Sequence, residues 1–328
     1  MKTRILSGIV LVIIMASALV CGSWYLFGLN LMIALIGMFE LYRVIHMEKT
    51  VMAYAGYIAC ILYYICIGAG RDEYLLLVLA AAVMAVMAVY VFAFPKYRTE
   101  NVCITLLGLV YVAMLLSYIY KVRTYHDGIY TVWLIFAASW VNDTFAYFTG
   151  VFFGRHKMAP KLSPKKSVEG GIGGGGGTGH RPGGVVASAV IGGIYGFLVS
   201  PHMSGVIAYP VVTFAAASFI GAFFAIVGDL AASAIKRNHD VKDYGTLIPG
   251  HGGILDRFDS VIFTAPAVYW AGVFIKSSSG ILNVRRFYRT DKTEALFWAQ
   301  KRGKNEDNLV TGFYRFYRDT DTGCNQKK

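Results

Sequence analysis

Long blocks of apolar residues alternate with short polar segments along most of the chain. Each block holds about 18 or more mainly apolar residues, enough for a helix to cross the hydrocarbon core of a bilayer. A chain in lipid must satisfy its own backbone hydrogen bonds, and these blocks are too long for barrel strands. We therefore predict an all-α polytopic membrane protein with about nine transmembrane helices. They lie near residues 5–21, 26–45, 51–70, 74–94, 101–120, 129–152, 184–203, 209–229 and 259–276.

The polar segments between the blocks predict how the helices are oriented. Segment 153–183 carries six basic residues and one acid, whereas segment 201–208 has no Lys or Arg. Lys and Arg concentrate in cytoplasmic loops of membrane proteins. We therefore expect segments 153–183 and 230–258 to be cytoplasmic catalytic loops, with 201–208 outside. This assignment places the N-terminus inside. Among the segments between predicted spans, only 121–128, an external segment with two basic residues, conflicts with it.

Composition agrees with a membrane protein and argues against a nucleic-acid partner. Of the 328 residues, 56% are hydrophobic and only 15% are charged, whereas a soluble domain carries about 25% charged residues. The net charge is +12, but the basic residues lie between apolar blocks and near the C-terminal end. Basic residues in such positions are typical of the cytoplasmic loops of membrane proteins, where they attract anionic lipids. The five cysteines form no Cys-x-x-Cys pair.

The chain divides by composition into a membrane domain and a tail. Residues 1–276 form the predicted membrane domain, with N-terminal spans over 1–125 and a motif-bearing half over 126–276. Residues 277–328 are polar and basic and contain no apolar block. Nine spans would place this tail outside, although basic segments are usually cytoplasmic. The side of the membrane on which the tail lies, and its role, therefore stay open.

A glycine-rich stretch, residues 170–184, raises the question of a phosphate-binding loop. Gly171, Gly173 and Gly176 fit G-x-G-x-x-G, but no Lys-Ser or Lys-Thr follows the run. The dinucleotide fingerprint also requires a preceding strand, and a polar segment precedes it here. Because a run of glycines matches such patterns by chance, we interpret residues 175–184 as a flexible connector.

Acidic residues at the ends of two predicted spans indicate a metal site. Asp229 closes the eighth span, and Asp256 and Asp259 open the ninth, so topology brings three carboxylates to one membrane face. Asp256 and Asp259 are three residues apart and share a helix face. Grouped carboxylates are the usual ligands of Mg²⁺, with phosphate oxygens completing the coordination. The same connector is rich in Lys and Arg, which complement phosphate groups.

In order and spacing, this segment resembles the signature of the phosphatidate cytidylyltransferases (CDP-diacylglycerol synthases). The residues in register with that signature are Ser233, Lys236, Arg237, Lys242, Asp243, Gly245, Ile248, Pro249, His251, Gly252, Gly253, Asp256, Arg257 and Asp259. A second block resembles another motif of the same family. Its matching residues are Asp143, Ala146, Tyr147, Gly154, Arg155, Ser163, Pro164, Lys165, Lys166, Ser167, Glu169, Gly170, Gly173 and Gly174. The resemblance covers roughly residues 1–276, with 175–184 as an added insert.

The resemblance implies a nucleotidyltransferase of phospholipid biosynthesis that joins CTP to phosphatidate, giving CDP-diacylglycerol and diphosphate. It implies Mg²⁺ as cofactor, with a second cation left open, and membrane lipids as partners. We expect a multi-pass protein of the plasma membrane whose active site faces the cytoplasm. No nucleic-acid partner is expected, and a homodimer is left open.

Residue roles follow from the resemblance together with the topology. The predicted catalytic residues are Asp256, Asp259, Lys236 and Arg237. The predicted metal ligands are Asp229, Asp256 and Asp259. The predicted substrate-binding residues are Lys165, Lys166, Asp143, Lys242, Asp243, His251 and Arg257. Asp143 lies mid-span, where an ionised carboxylate costs about 2.5–3.5 kcal/mol, so we expect it to face a polar cavity.

Three other readings remain open at this point. A transporter also places polar residues and glycine-rich breaks in its spans, although here the charge concentrates at one face. Another CTP-dependent membrane lipid enzyme, such as a lipid-alcohol kinase or an archaeal-type lipid cytidylyltransferase, shares the substrate chemistry. A catalytically inactive relative is the third.

Overall fold

A computed structural model of the chain describes residues 2–125, 127–160, 162–172, 183–204, 207, 209–248, 250 and 252–273. All of them belong to one compact unit, Met1–Phe274. The tail, 277–328, lies outside the described residues, so its side and role stay predictions. The division of residues 1–276 near residue 125 also stays a prediction.

Most described residues lie in helices, which confirms the all-α fold class. The helices are α1 (Lys2–Cys21), α2 (Ser23–Arg43), α3 (Val51–Gly68), α4 (Leu75–Phe92), α5 (Thr99–Leu107), α6 (Leu115–Thr124), α7 (Gly128–Phe153), α8 (Val168–Gly171), α9 (Gly184–Val199), α10 (Pro210–Asn238) and α11 (255–273). A π-helical segment, Gly108–Met114, joins α5 to α6 in one continuous helix. Short 3₁₀ turns, Asp72–Tyr74 and Ser200–His202, precede α4 and follow α9. A small antiparallel hairpin of β1 (Lys157–Ala159) and β2 (Ser163–Ser167) follows α7.

A helix occupies each of the nine predicted spans, and the helices identify a multi-pass membrane protein. Within the described residues, six helices are long and apolar enough to cross a bilayer. They are Ser23–Arg43, Val51–Gly68, Asp72–Phe92, Thr99–Thr124, Gly184–His202 and Pro210–Asn238. The remaining three are α1, α7 and α11. Of these, α7 contains Asn142 and Asp143 within its apolar sequence, and α11 has three charged residues among its first five. The count of nine spans therefore stays a prediction.

Two helix boundaries differ from the sequence prediction in a way that matters for the site. Helix α10 continues past the predicted end at 229 to Asn238, so Asp229 lies inside the helix rather than at its end. Helix α11 begins at 255 rather than 259, which places Asp256 in its first turn. The sequence prediction ended each span where the apolar residues stop. Charged residues can continue a helix, because their side chains form ion pairs outside the apolar stretch. Lys236 of α10 and Asp256 of α11 are buried, whereas Arg237 and Arg257 are exposed.

Buried polar contacts join α2 to the helix that contains the π-helical segment. The Tyr42 hydroxyl donates to the carbonyl oxygen of Thr105 at 2.9 Å, and Asn30 Nδ2 donates to that of Leu116 at 3.0 Å. The Tyr42 ring fills the space where a side chain at Gly56 or Gly108 would stand. Hydrogen bonds between helices stabilise the packed state in an apolar environment by about 1 kcal/mol each.

Small residues allow α9, α10 and α11 to approach closely. A Cβ at Gly196 would lie 2.7 Å from the carbonyl oxygen of Pro210, and one at Gly221 would lie 3.0 Å from Val268. Thr264 Oγ1 donates to the carbonyl oxygen of Gly221 at 3.3 Å. Helices in a bilayer associate through such close packing, because lipid tails provide no hydrophobic drive between them. This packing places the end of α10 beside the start of α11.

We expect Gly192→Ala to destabilise the protein and Gly28→Ala not to. A Cβ at Gly192 would overlap Ser218 and lie 2.8 Å from the carbonyl oxygen of Phe214, whereas one at Gly28 meets nothing within 4 Å. Overpacking costs about 1–3 kcal/mol, while an exposed helical Gly→Ala gains about 0.5–1 kcal/mol. Thermal unfolding in detergent micelles measures both variants. Equal melting temperatures would contradict this packing.

Candidate active site

The hairpin between α7 and α8 is held in place by the carboxylate of Glu169. This side chain accepts hydrogen bonds from the backbone N–H groups of Arg155 and His156, both at 3.2 Å, and lies 2.6 Å from His156 Nδ1. Hydrogen bonds from its own backbone N–H and then from His156 lower the pKa of Glu169 from 4.5 to about 2. The charged form of Glu169 therefore closes the hairpin onto the start of α8.

Glycines let this hairpin lie directly against α7. Ser167 Oγ accepts from the Gly170 N–H at 3.1 Å and caps α8. A Cβ at Gly154 would lie 2.7 Å from Ser167 Oγ, and one at Gly170 would lie 2.5 Å from the carbonyl oxygen of Ala146. A larger residue at either glycine would push the hairpin away from α7. This close approach directs the last residues of β2 towards α10.

Lys166, near the end of β2, reaches an ion pair with Asp229 of α10. Its ammonium group also interacts electrostatically with Asp143 of α7 and Asp259 of α11. Burial lowers the pKa of Lys166, while Asp143 and Asp259 act in the opposite direction. One lysine therefore links carboxylates from three different helices.

A second ion pair, between Lys236 and Asp256, is more deeply buried. Lys236 Nζ lies 2.9 Å from Asp256 Oδ1, and their side chains are only 11% and 2% exposed. The other carboxylate oxygen, Oδ2, accepts from the backbone N–H of Tyr244 at 2.8 Å and of Gly253 at 3.0 Å. Asp256 thus ties α10, the loop after it and the first turn of α11 together.

Asp143 and Asp259 approach each other across a shared hydroxyl group. Ser260 Oγ lies 3.5 Å from an oxygen of each carboxylate, and Asn142 Nδ2 lies 3.4 Å from Asp143 Oδ1. Both carboxylates line a cavity of about 270 Å³, together with Asp256, Arg257 and residues of α1, α7 and α11. Asp143 lines this cavity, and its role in binding substrate stays a prediction.

The structure brings together six of the predicted site residues: Asp143, Lys166, Asp229, Lys236, Asp256 and Asp259. Arg257 lines the same cavity. Arg237 is exposed and donates to the carbonyl oxygen of Val241 at 3.2 Å, and Lys242 and Asp243 are exposed on the loop. The Lys165 side chain and His251 lie outside the described part of the chain, so their roles stay predictions.

Two of the three predicted metal ligands form ion pairs with lysines. Among the described residues, no three His, Cys, Asp or Glu side chains are grouped as metal ligands. Asp229 pairs with Lys166, and Asp256 directs its oxygens at Lys236 and two backbone amides. Yet the cluster holds four carboxylates against two ammonium groups, an excess of negative charge that suits a divalent cation and hard oxygen ligands. Metal binding by Asp229, Asp256 and Asp259 stays a prediction.

Sequence reasoning missed two buried residues next to the site. Glu40 of α2 accepts hydrogen bonds from the backbone N–H groups of Ile254 and Leu255. Tyr111, in the π-helical segment, is buried and lies within electrostatic range of Asp259. An acid inside an apolar block is a signal that could have identified Glu40. Tyr111 offered none, since tyrosines are common throughout the apolar blocks.

Comparison with known proteins identifies the family. Residues 2–275 match the family model described as the cytidylyltransferase family. The chain belongs to the cytidylyltransferase family. This confirms the resemblance inferred from the two motifs.

Several bacterial members of this family resemble the chain over most of its length. A protein of Bacillus subtilis (strain 168) named phosphatidate cytidylyltransferase is 27% identical over 283 residues, covering 82% of this chain and 97% of the relative. A protein of the same name from Synechocystis is 29% identical over 303 residues, covering 83% and 96%. One from Thermotoga maritima is 32% identical over 179 residues, covering 53% and 60%. The match to this cytidylyltransferase therefore spans nearly the whole length of the Bacillus subtilis and Synechocystis relatives.

The lowered pKa of Glu169 predicts how the stability of the hairpin depends on pH. Its contribution is complete above the ordinary pKa of 4.5 and is lost as the pH falls towards about 2. At neutral pH we expect Glu169→Gln to increase hydrogen exchange at the amides of Arg155 and His156, with Glu100→Gln, at an exposed position, as control. As the pH is lowered towards 2, the difference between wild type and Glu169→Gln should vanish. Equal exchange at neutral pH would contradict the role of Glu169.

Proposed function

We propose that the chain is a phosphatidate cytidylyltransferase, which converts CTP and phosphatidate to CDP-diacylglycerol and diphosphate. The observation that carries this proposal is a cluster in which two ion pairs, Lys166–Asp229 and Lys236–Asp256, lie beside Asp143 and Asp259. Asp143, Asp256 and Asp259 of this cluster line one cavity. Lys166, Lys236 and Asp256 belong to the motifs that resemble the family signature, and Asp229 lies four residues before the motif that contains Lys236. The names of the bacterial relatives point to the same reaction.

The chemistry requires neutralisation of charge more than a strong base. A phosphate oxygen of phosphatidate, already ionised near neutral pH, attacks the α-phosphorus of CTP. The bond to the bridging oxygen between the α- and β-phosphates breaks, and diphosphate leaves with the bonding electrons. Two unit charges 4 Å apart repel by about 4 kcal/mol at an effective dielectric constant of 20. In this proposal the ammonium groups of Lys166 and Lys236 would offset this repulsion and bind phosphate oxygens.

Mg²⁺ is the cofactor that we propose for this site. Asp229, Asp256 and Asp259 would hold it, with Asp143 at the same cavity. A bound divalent ion supplies Lewis-acid stabilisation of phosphate oxygens. The lysines that now pair with Asp229 and Asp256 would turn to substrate phosphates, so each carboxylate would be released as its lysine is recruited. A titration with metal would decide whether a second cation joins it.

We propose that the site faces the cytoplasm, at the plasma membrane. The hairpin segment and the α10–α11 connector are the basic segments of the motif-bearing half, and such segments stay on the cytoplasmic side. CTP is a cytoplasmic nucleotide, whereas the lipid substrate lies in the bilayer. A site at the membrane surface gives both substrates access. The exposed apolar side chains of α4, such as Leu76 and Phe92, suit contact with lipid.

Transfer of labelled phosphate tests this function directly. Protein in micelles with phosphatidate and Mg²⁺ should convert CTP labelled at the α-phosphate into labelled lipid, and should give no labelled lipid from γ-labelled CTP. Chelation of the metal should stop the reaction and Mg²⁺ should restore it. Labelled lipid from γ-labelled CTP and a lipid alcohol would instead identify a kinase. Substrate uptake into vesicles without use of CTP would identify a transporter.

We expect Asp256→Asn to lower the rate by about 100-fold or more, because Lys236 would lose the charge that positions it in a buried site. Asp240→Asn is the matched control, since Asp240 is exposed and has a positive φ that asparagine tolerates. Helical circular dichroism checks that both variants are folded. Full activity of folded Asp256→Asn would contradict the role assigned to Asp256.

Lys166→Ala should reduce kcat/KM by about 10–100-fold. Loss of a hydrogen bond to a charged group costs about 1.5–3 kcal/mol, and each 1.4 kcal/mol is a factor of ten in rate. Lys49→Ala, at an exposed position between α2 and α3, should retain wild-type activity. Equal rates for the two variants would argue against a role for Lys166 in binding phosphate.

A further inference from the structure

A carboxylate from the N-terminal half of the chain holds the start of α11. Glu40 lies near the end of α2 and is only 3% exposed. Its Oε1 accepts from the Ile254 N–H at 3.0 Å, and its Oε2 accepts from the Leu255 N–H at 2.8 Å. The first N–H groups of a helix have no partner within the helix, and an anion at this end is favoured by the helix dipole. Glu40 therefore acts as a cap supplied by another helix.

The loop before α11 fits closely around this carboxylate. A Cβ at Gly245 would lie 2.5 Å from Glu40 Oε1, and one at Gly253 would overlap both carboxylate oxygens. Both glycines belong to the motif between α10 and α11, more than 200 residues away from Glu40 in sequence. The absence of side chains at these two positions is what allows the carboxylate to reach the backbone.

The same turn also holds Asp256. Gly253 donates its N–H to Asp256 Oδ2, and Tyr244, next to Gly245, donates to the same oxygen. Glu40 thus contacts Gly245 and Ile254, the residues that directly follow the two whose N–H groups orient Asp256. Movement of Glu40 would move the first turn of α11, and with it Asp256 and Asp259. Protein contacts alone therefore connect α2 to Asp256 and Asp259 at the cavity.

We propose that Glu40 is a positioning residue for the cytidylyl transfer, which sets the location of Asp256 and Asp259 by capping α11. This inference rests on the proposed function. Helix α2 carries none of the family motif residues, yet through Glu40 it would help to position the residues of the site. A displacement of about 1 Å in a catalytic group can lower a rate by about 100-fold. A cap with no such role would contribute to folding alone.

Glu40→Gln and Glu40→Asp separate positioning from folding. In the glutamine variant one acceptor oxygen becomes an NH₂ group that faces a backbone N–H. We expect kcat per folded molecule to fall about tenfold or more, with KM for CTP changed by less than about threefold. The aspartate variant keeps the charge and should recover part of the loss. Glu100→Gln should behave as wild type. A folded Glu40→Gln variant with kcat within about twofold of wild type would overturn the proposal.

A double-mutant cycle tests the contact itself. Gly245→Ala should displace the Glu40 carboxylate and lower kcat. In a Glu40→Ala background the same change meets no carboxylate, so it should cause little further loss. Losses that multiply in the double variant would show that the two residues act separately, and would overturn the proposal.

Failure of the proposed function can be told apart from failure of this inference. If the wild type transfers no labelled α-phosphate, the function is wrong, and hydrogen exchange still tests Glu40. In that case Glu40→Gln should increase exchange at the amides of residues 254–257 and leave α3 unchanged, while Glu100→Gln leaves both unchanged. Unchanged exchange at 254–257, or an equal increase in α3, would overturn the positioning role.

Discussion

The buried ion pair between Lys236 and Asp256 is the interaction on which the rest of the site depends. Both side chains are almost fully removed from water, and breaking such a pair costs about 3–5 kcal/mol because one charge stays buried alone. Asp256 satisfies its remaining acceptor positions with two backbone N–H groups of the loop that precedes α11. The Asp256 carboxylate therefore holds the last turn of α10 against the first turn of α11.

Close helix packing is the second condition for this arrangement. A Cβ at Gly228 would lie 2.7 Å from the carbonyl oxygen of Asp259, so α10 and α11 touch directly beside the acidic residues. Gly154 and Gly170 play the corresponding part for the hairpin and α7. Because small residues bring the backbones together, charges from four elements come within reach of one another. Larger residues would separate the carboxylates from the lysines. Each charged side chain would then require water or a counterion.

The cluster contains groups that attract cations and groups that attract anions. Its carboxylates outnumber its ammonium groups, so it favours a cation, while its lysines favour anions. Lys166 pairs with Asp229, and Lys236 pairs with Asp256. In the function that we propose, a nucleotide with a divalent ion would bring both kinds of charge at once. The proposed site would then neutralise polyanionic substrates without leaving a charge buried and unpaired.

The sequence by itself determined the all-α membrane class, the positions of the helices, the family and most residues of the charged cluster. Apolar blocks of that length allow only one structure in lipid, and residues such as Lys236 and Asp256 stand at fixed spacing in the motifs. Only the tertiary structure decided that Asp229 lies within a helix and faces Lys166, and that Asp256 is held by Tyr244 and Gly253. It also revealed Glu40, whose partners are more than 200 residues away. Spacing along a chain specifies neighbours within one helix, whereas contacts between helices depend on how their surfaces pack.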